Sequence, residues 1–474
     1  MSASARVVIM LCALASVPAA ARTQTPLPDS LARRIDSVYA AYDKTSSPGC
    51  ALAIYQNGAI RYSRGYGMSN LEHGIAISPG TIFDIGSTSK QFTGAAIALL
   101  AQDGKLSIDD DVRQYLPELP QYARPITLRM LLTHTSGLRD YLTLMSLRGV
   151  NFDGVSTDQD ALDLIIRQSA TNFEPGSTFL YSNTGFFLLS QVVKRVSGRT
   201  LAQFSQERIF TPLGMSSTHI HDDHTLVVPG RAAGYSPRTG GGFQIDMSAF
   251  EQTGDGAVMT TVEDLLEWDN NYYAPTIGGQ RLLDDLETRG RLNNGTTLDY
   301  ALGLFIQEYR GLRNVRHGGA FAGFRAELSR FPSQRTTVAS LCNLGSLNPS
   351  VLADRVADIV LAAHLVAARP ASPPVGGAVT TPSSGRHIDP SRLAEFAGVF
   401  YAPELDAPFT VAVSGTHLTL RLASGDTQPL TALADDRFST GPRLTIAFTR
   451  DRVGRVSAFT IDAGRVRGIV AARR

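Results

Sequence analysis

The feature that most constrains this chain's fold is where its strand-like runs fall: two near the start, three between Tyr300 and Cys342, and helical sequence between them. Cys50 to Gln56 and Ala59 to Gly65 are separated by Asn57-Gly58, the dipeptide of a two-residue hairpin turn. The later strands are expected at Tyr300 to Glu308, Phe324 to Arg330 and Thr337 to Cys342. Apolar spacing between the two groups predicts helices over Gln91 to Ala101, Thr127 to Leu132, Asp160 to Gln168 and Gly185 to Val196. Asp103-Gly104 ends the first of these and Gly198 the last. Further helices are expected at Leu31 to Tyr42 and Val351 to Val366. This order predicts an α+β fold in which one antiparallel sheet is built from both ends of a domain. Helices flank the sheet and form a separate lobe. The cleft between sheet and lobe is the natural place for a site.

The pattern breaks at Arg369 to Pro390, where Pro370, Pro373, Pro374 and Pro382 alternate with Gly, Ser and Thr in linker composition. Beyond it come short alternating runs, Phe409 to Val413, His417 to Leu422, Leu444 to Phe448 and Val456 to Ile461. Their spacing predicts a small all-β barrel or sandwich without a catalytic constellation. At the N-terminus, Arg6, an apolar run from Val7 to Val17 and the small residues Ala19-Ala20-Ala21 have the form of an export signal. Leu11 stands before Cys12 where a lipoprotein signal wants a small residue. The expected organisation is a signal peptide (1–21), a catalytic domain (22–368), a linker (369–390) and a C-terminal β-barrel (391–474).

Composition excludes more than it selects. The 474 residues carry 44 basic against 43 acidic side chains, with no basic stripe, so nucleic-acid binding is disfavoured. No later segment reaches the ~20 continuous apolar residues of a transmembrane helix. The sequence therefore predicts a secreted or periplasmic protein. After signal removal only Cys50 and Cys342 remain; export permits a single bridge between them, but both lie in strand-like runs, and buried free thiols are the expected reading. Nothing has metal-ligand cysteine spacing, and no metal or organic cofactor is expected.

The chemistry centres on Gly86-Ser87-Thr88-Ser89-Lys90, where a strand-like segment gives way to a helix. Positions three apart share a helix face, so Ser87 and Lys90 meet without help from the rest of the fold. A serine hydroxyl needs a proton acceptor to attack, and lysine serves when burial or nearby positive charge lowers its pKa. Lys90 is one of only four lysines, against 40 arginines, and arginine cannot lose its proton in a protein. Taken alone, the motif also reads as an exposed helix start beside a solvated lysine. Tyr181-Ser182-Asn183 precedes another helix. A tyrosine near an ammonium can have its pKa lowered and relay a proton, and Asn183 offers a donor and an acceptor. His317-Gly318-Gly319-Ala320 stands just before the strand at Phe324, and paired glycines let a substrate backbone approach a strand edge. A β-turn is the plainer reading of those glycines. The three motifs together, each at an element boundary, point to one pocket.

With these residues in place, the chain resembles the serine hydrolase family that includes class C β-lactamases, D-alanyl-D-alanine carboxypeptidases, D-aminopeptidases and related esterases, which share the penicillin-binding fold. The resemblance covers about residues 30 to 365. It extends to Ile126-Thr127-Leu128-Arg129-Met130-Leu131-Leu132-Thr133-His134-Thr135-Ser136-Gly137-Leu138, to Phe173 to Gly185, to Pro212-Leu213-Gly214-Met215 and to Gly256-Ala257-Val258-Met259-Thr260-Thr261. It implies that Ser87 is the acylated nucleophile and Lys90 its activating partner. Tyr181 would carry the proton to the leaving group and Asn183 orient Lys90 and substrate. His317, Gly318 and Gly319 would bind substrate, with the N–H groups of Ser87 and Ala320 as oxyanion hole. The C-terminal β domain resembles the lipocalin-like domain appended to such hydrolases. His317-Gly318-Gly319 stands where many β-lactamases carry Lys-Thr-Gly, and a neutral histidine holds a substrate carboxylate less well than an ammonium.

The resulting expectation is an exported serine hydrolase acting through an acyl-enzyme on amide or ester bonds of a small molecule or short peptide. Peptidase, carboxypeptidase-like and esterase activities stand ahead of β-lactamase, and a non-catalytic binder of cell-wall peptides is the rival from another class. His219-Ile220-His221-Asp222-Asp223-His224 is read as a solvated loop rather than a metal site. Asp109-Asp110-Asp111 is read as a helix start, since the other spaced ligands of a calcium loop are missing. There is no Gly-x-Ser-x-Gly nucleophile elbow and no phosphate-binding glycine loop.

Overall fold

A computed structural model describes residues 26–367, 389–442 and 444–474. The signal segment expected at 1–21 lies outside the described residues, as does all of the expected linker except its last two positions.

The six-stranded antiparallel sheet closes from both ends of the catalytic region. In chain order its strands are β1 (Cys50–Gln56), β2 (Ala59–Tyr66), β3 (Phe305–Tyr309), β4 (Leu312–Phe321), β5 (Phe324–Phe331) and β6 (Thr336–Cys342). In space they run β3-β4-β5-β6-β1-β2. Asn57 and Gly58, both with positive φ, turn β1 into β2, as that dipeptide predicts. Two helices, α1 (Asp29–Tyr39) and α7 (Pro349–Val360), pack against each other, with α7 also on β5 and β6. Between the strand groups lie α2 (Lys90–Gln102), α3 (Leu128–Leu132), α4 (Tyr141–Arg148), α5 (Asp158–Ile166) and α6 (Asn183–Ser197). Helices α2 and α3 both pack on α6, which centres the core of the helical lobe.

Three expectations need correction. Cys50 and Cys342 are not free thiols but a disulfide. They sit directly opposite in the β1–β6 ladder with Cα atoms 4.0 Å apart. Only the register of a sheet closed from both ends brings positions 292 apart in sequence face to face. His317-Gly318-Gly319-Ala320 does stand just before the strand at Phe324, but it is not a turn: it continues β4, paired there with β5 and beyond the stretch that pairs with β3. The first late strand begins at Phe305 rather than Tyr300, because Gly303 turns the backbone through φ +86° and frees Tyr300 to reach His317.

The C-terminal region is a closed eight-stranded barrel, β7 (Gly398–Ala402), β8 (Ala407–Ser414), β9 (His417–Arg421), β10 (Thr427–Ala434), β11 (Arg437–Ser439), β12 (Leu444–Arg450), β13 (Val456–Ala463) and β14 (Val466–Arg473). Phe396, Phe400, Phe409, Phe438, Phe448 and Phe459 are buried against one another within it. A small barrel filled this way has a side-chain core where larger ones hold a ligand. Among the described residues, no helix is long and apolar enough to cross a membrane.

Candidate active site

The Ser87 motif is a tight 3-10 turn, Gly86–Ser89, that runs directly into α2 at Lys90. With three residues per turn, positions i and i+3 eclipse, which is tighter than the α-helical spacing expected from sequence. Lys90 Nζ is accordingly 3.0 Å from Ser87 Oγ. The turn is pressed against β4. A Cβ on Gly86, whose φ is +47°, would lie 2.7 Å from Ala320 N, and one on Gly319 would lie 1.8 Å from Ile85 O. These two glycines are required by close approach, and Thr88 Oγ1 fastens the contact by donating to His317 O at 3.1 Å. Ser87 and Ala320 thereby border the same cavity, of about 1360 Å³.

Lys90 is fully buried, and its amine has three polar neighbours: Ser87 Oγ, Asn183 Oδ1 at 3.0 Å and the carbonyl oxygen of Asp255 at 2.5 Å. The last two can only accept. A neutral amine has two N–H groups and one lone pair, so satisfying both acceptors leaves the lone pair for the Ser87 hydroxyl. Burial is the main force lowering the Lys90 pKa far below the usual ammonium range; Asp255 opposes it and Arg465 adds to it. Desolvation thus favours the base form.

Asn183 is held by its neighbours. Its N–H donates to Asp140 Oδ2 at 2.7 Å, and Asp140 also caps α4 by accepting from Thr143 N at 3.0 Å. Tyr141 N donates to Thr184 Oγ1, which donates to Arg139 O. The start of α6 is therefore locked to the start of α4.

Tyr181 brings its ring to 5.0 Å from Lys90 Nζ. Its hydroxyl is buried and makes no hydrogen bond of full geometry among the described residues, its polar neighbour being Ser87. The expectation that an ammonium lowers its pKa is not met: burial raises it, with Ser87 and Arg465 only partly opposing. The phenol is therefore a neutral proton donor. His134, absent from the residues expected to form the site, holds this segment from beneath. Its carbonyl accepts from Leu180 N at 3.0 Å, its Nδ1 accepts from Ser182 N at 3.2 Å, and its ring lies 4.1 Å from that of Tyr181. His134 has φ +56°, a strained backbone for a non-glycine residue.

His317 is buried, and its Nδ1 lies 2.6 Å from Gly318 O, an acceptor only, so Nδ1 carries the proton. Nε2 then accepts from the Tyr300 hydroxyl at 3.1 Å. Burial, assisted by Lys90, lowers its pKa to about 3, so the ring is neutral.

Of the histidines at 219–224, read from sequence as a solvated loop, His221 is buried, His219 is half-buried with its Nε2 buried, and only His224 is exposed. The reason is local pairing: Ile220 and His219 add a short strand against Val258 and Met259. His224 pairs with Glu251 at 2.7 Å.

A serine whose hydroxyl faces a buried amine, in a cleft between an antiparallel sheet and a helical lobe, defines a serine hydrolase of the penicillin-binding type. The chain matches the Beta-lactamase family over residues 34–363, and it belongs to that family. It is 28% identical over 434 residues to a D-aminopeptidase of Gluconobacter oxydans, covering 90% of this chain and 74% of that one. It is 30% identical to penicillin-binding protein 4* of Bacillus subtilis, covering 64% of this chain and 69% of that one. The octameric penicillin-binding protein homologue from Pyrococcus abyssi has the same fold, with a TM-score of 0.63 at 24% identity over 94% of this chain and 99% of that one.

Proposed function

We propose that this protein hydrolyses amide or ester bonds of small substrates containing D-amino acids, through an acyl-enzyme on Ser87. The single observation that carries this reading is the environment of Lys90, whose two acceptor-only neighbours leave its lone pair for the Ser87 hydroxyl. In the first step Ser87 Oγ attacks the carbonyl carbon as its proton passes to Lys90 Nζ. The N–H groups of Ser87 and Ala320 stabilise the oxyanion. Tyr181, neutral, then gives its proton to the leaving amine or alkoxide and recovers one from Lys90. Water repeats the sequence in reverse on the acyl-enzyme. Asn183 orients Lys90, while His317, Gly318 and Gly319 form the wall along which the substrate lies.

The D-amino-acid preference is drawn from the D-aminopeptidase of Gluconobacter oxydans. The test is a panel of D-alanyl peptides and amides, their L counterparts, short-chain nitrophenyl esters and nitrocefin. D-substrate turnover at least tenfold above L supports the reading. Nitrocefin turnover with inert D-peptides would replace it with a β-lactamase, and turnover of any substrate by Ser87→Ala would reject the mechanism.

Export belongs to the same proposal. It rests on the N-terminal residues and on the Cys50–Cys342 bridge, a bond that persists mainly in oxidising compartments. N-terminal sequencing of the mature protein should find Arg22 first; an intact Met1 on the active protein would refute it.

A further inference from the structure

The cleft is not made by the hydrolase region alone. Leu422, Gln428, Pro442 and Arg465 of the barrel line the same cavity as Ser87 and Ala320. Arg465 lies at the tip of a two-residue hairpin, Gly464-Arg465, between β13 and β14. The hairpin is pinned to the hydrolase region through its backbone. Asn172 Nδ2 donates to Arg465 O at 2.9 Å, Arg467 N donates to Asn172 Oδ1 at 2.7 Å, and Arg139 donates to Arg467 O and Gly468 O at 2.9 and 3.1 Å.

The Arg465 side chain is placed by this docking but is not used up by it. Its guanidinium lies 4.8 Å from the centroid of the Tyr181 ring and makes no hydrogen bond among the described residues. Its ion pair among the described residues is a long one, with Asp140 Oδ2 at 3.7 Å, an oxygen that already accepts from Asn183 N. The side chain keeps 43% of its surface accessible. A planar guanidinium with free donors beside a candidate nucleophile fits a carboxylate.

The other groups that could receive a carboxylate are poorly suited. His317 is neutral, and Lys90 must give up its charge to act as base. Arg325, the remaining cation on the cavity wall among the described residues, is tied by Nη1 to Ala322 O and Phe324 O. We infer that Arg465, supplied by the barrel, is the specificity-determining residue that receives a substrate carboxylate close to the scissile bond. The barrel is then part of the active site, and the favoured substrates are D-peptides or acylated D-amino acids with a free carboxylate rather than their amides. This rests on the hydrolase reading above and names the substrate class within it.

The experiment compares an N-acyl-D-alanyl-D-alanine having a free carboxylate with its C-terminal amide. Each is assayed as a substrate and as an inhibitor of nitrophenyl ester hydrolysis. The readout is the acid-to-amide ratio of kcat/KM, or of inhibition constants where cleavage is slow, which cancels any general loss of activity. Wild type should prefer the acid. Arg465→Gln should lower the ratio by about tenfold to a hundredfold, the loss of one charge-assisted hydrogen bond, mainly through KM. Arg465→Lys should restore part of it. An unchanged ratio in Arg465→Gln, even with slower overall turnover, would show that Arg465 only props Tyr181 and would overturn the inference. So would a ratio that collapses in Arg325→Gln instead, or the failure of both ligands to bind. Failure of the hydrolase reading looks different: ester turnover then survives in Ser87→Ala.

Discussion

Arg139 is the main bolt between the barrel and the hydrolase region, and Arg139→Met should release it. Its side chain is 2% exposed and donates to Glu404 Oε1 at 2.9 Å, to Arg467 O and Gly468 O of the barrel hairpin, and to Gln168 Oε1 at 3.0 Å. Methionine keeps much of the volume and removes every donor. Breaking a buried ion pair from one side costs about 3–5 kcal/mol, because the remaining charge is left without its partner. Glu404 keeps two donors, Ser169 N at 2.7 Å and Ser169 Oγ at 2.8 Å, and is 15% exposed, so the lower figure applies. About 3 kcal/mol is roughly two orders of magnitude in the docking equilibrium. The assay is amide hydrogen exchange followed by mass spectrometry, since a chain of two packed regions need not unfold in one step. Peptides covering 463–468 should exchange about a hundredfold faster in Arg139→Met, while those of the central sheet stay protected. Exchange in that hairpin within threefold of wild type would refute the reasoning. So would additive effects of Arg139→Met and Glu404→Gln, because partners in one ion pair must couple.

Four further outcomes follow from the site. Tyr181→Phe should lower kcat on D-alanyl amides by about a hundredfold or more, with a smaller loss on nitrophenyl esters, whose leaving group needs no proton; equal losses on both would argue against proton delivery by the phenol. Because Lys90 must be neutral to accept a proton, kcat/KM should rise with pH through its lowered pKa and then level off. Arg465→Gln removes a positive neighbour and should move that limb to higher pH; a shift to lower pH would contradict the assignment of Lys90 as base. His134→Leu removes the acceptor for Ser182 N and should reduce kcat about tenfold with little change in KM, checked by steady-state kinetics. Replacing both Cys50 and Cys342 by Ser opens a loop of 292 residues and should cost about 2–5 kcal/mol in urea unfolding followed by tryptophan fluorescence; a cost below 1 kcal/mol would mean the bridge adds little.

What the sequence made legible was local. The sheet's two-ended construction could be read because β1 and β6 are largely apolar runs and β5 alternates apolar with polar residues, and Ser87 and Lys90 share a face by spacing alone. Strand β4 was hidden by its own chemistry. Leu312 to Phe321 mixes charged residues with two adjacent glycines, which lowers strand propensity, and only pairing with β3 and β5 holds it extended. The disulfide needed a register between distant strands. His134 stood within a quoted signature, yet nothing local says that its carbonyl and ring hold the segment carrying Tyr181. Arg465 gave no signal, because its place in the cleft depends on how the barrel docks, which is fixed by Arg139, Asn172 and Glu404 from three separate parts of the chain.

The central claim is that the Ser87 hydroxyl becomes a nucleophile by passing its proton to Lys90, and covalent capture tests it most directly. Wild-type protein treated with a fluorophosphonate, then digested and mapped by mass spectrometry, should carry one adduct, on Ser87. Lys90→Arg should label at least a hundredfold more slowly, since it keeps the charge but cannot take the proton. Labelling of another residue, or equal rates in the wild type and Lys90→Arg, would contradict the account.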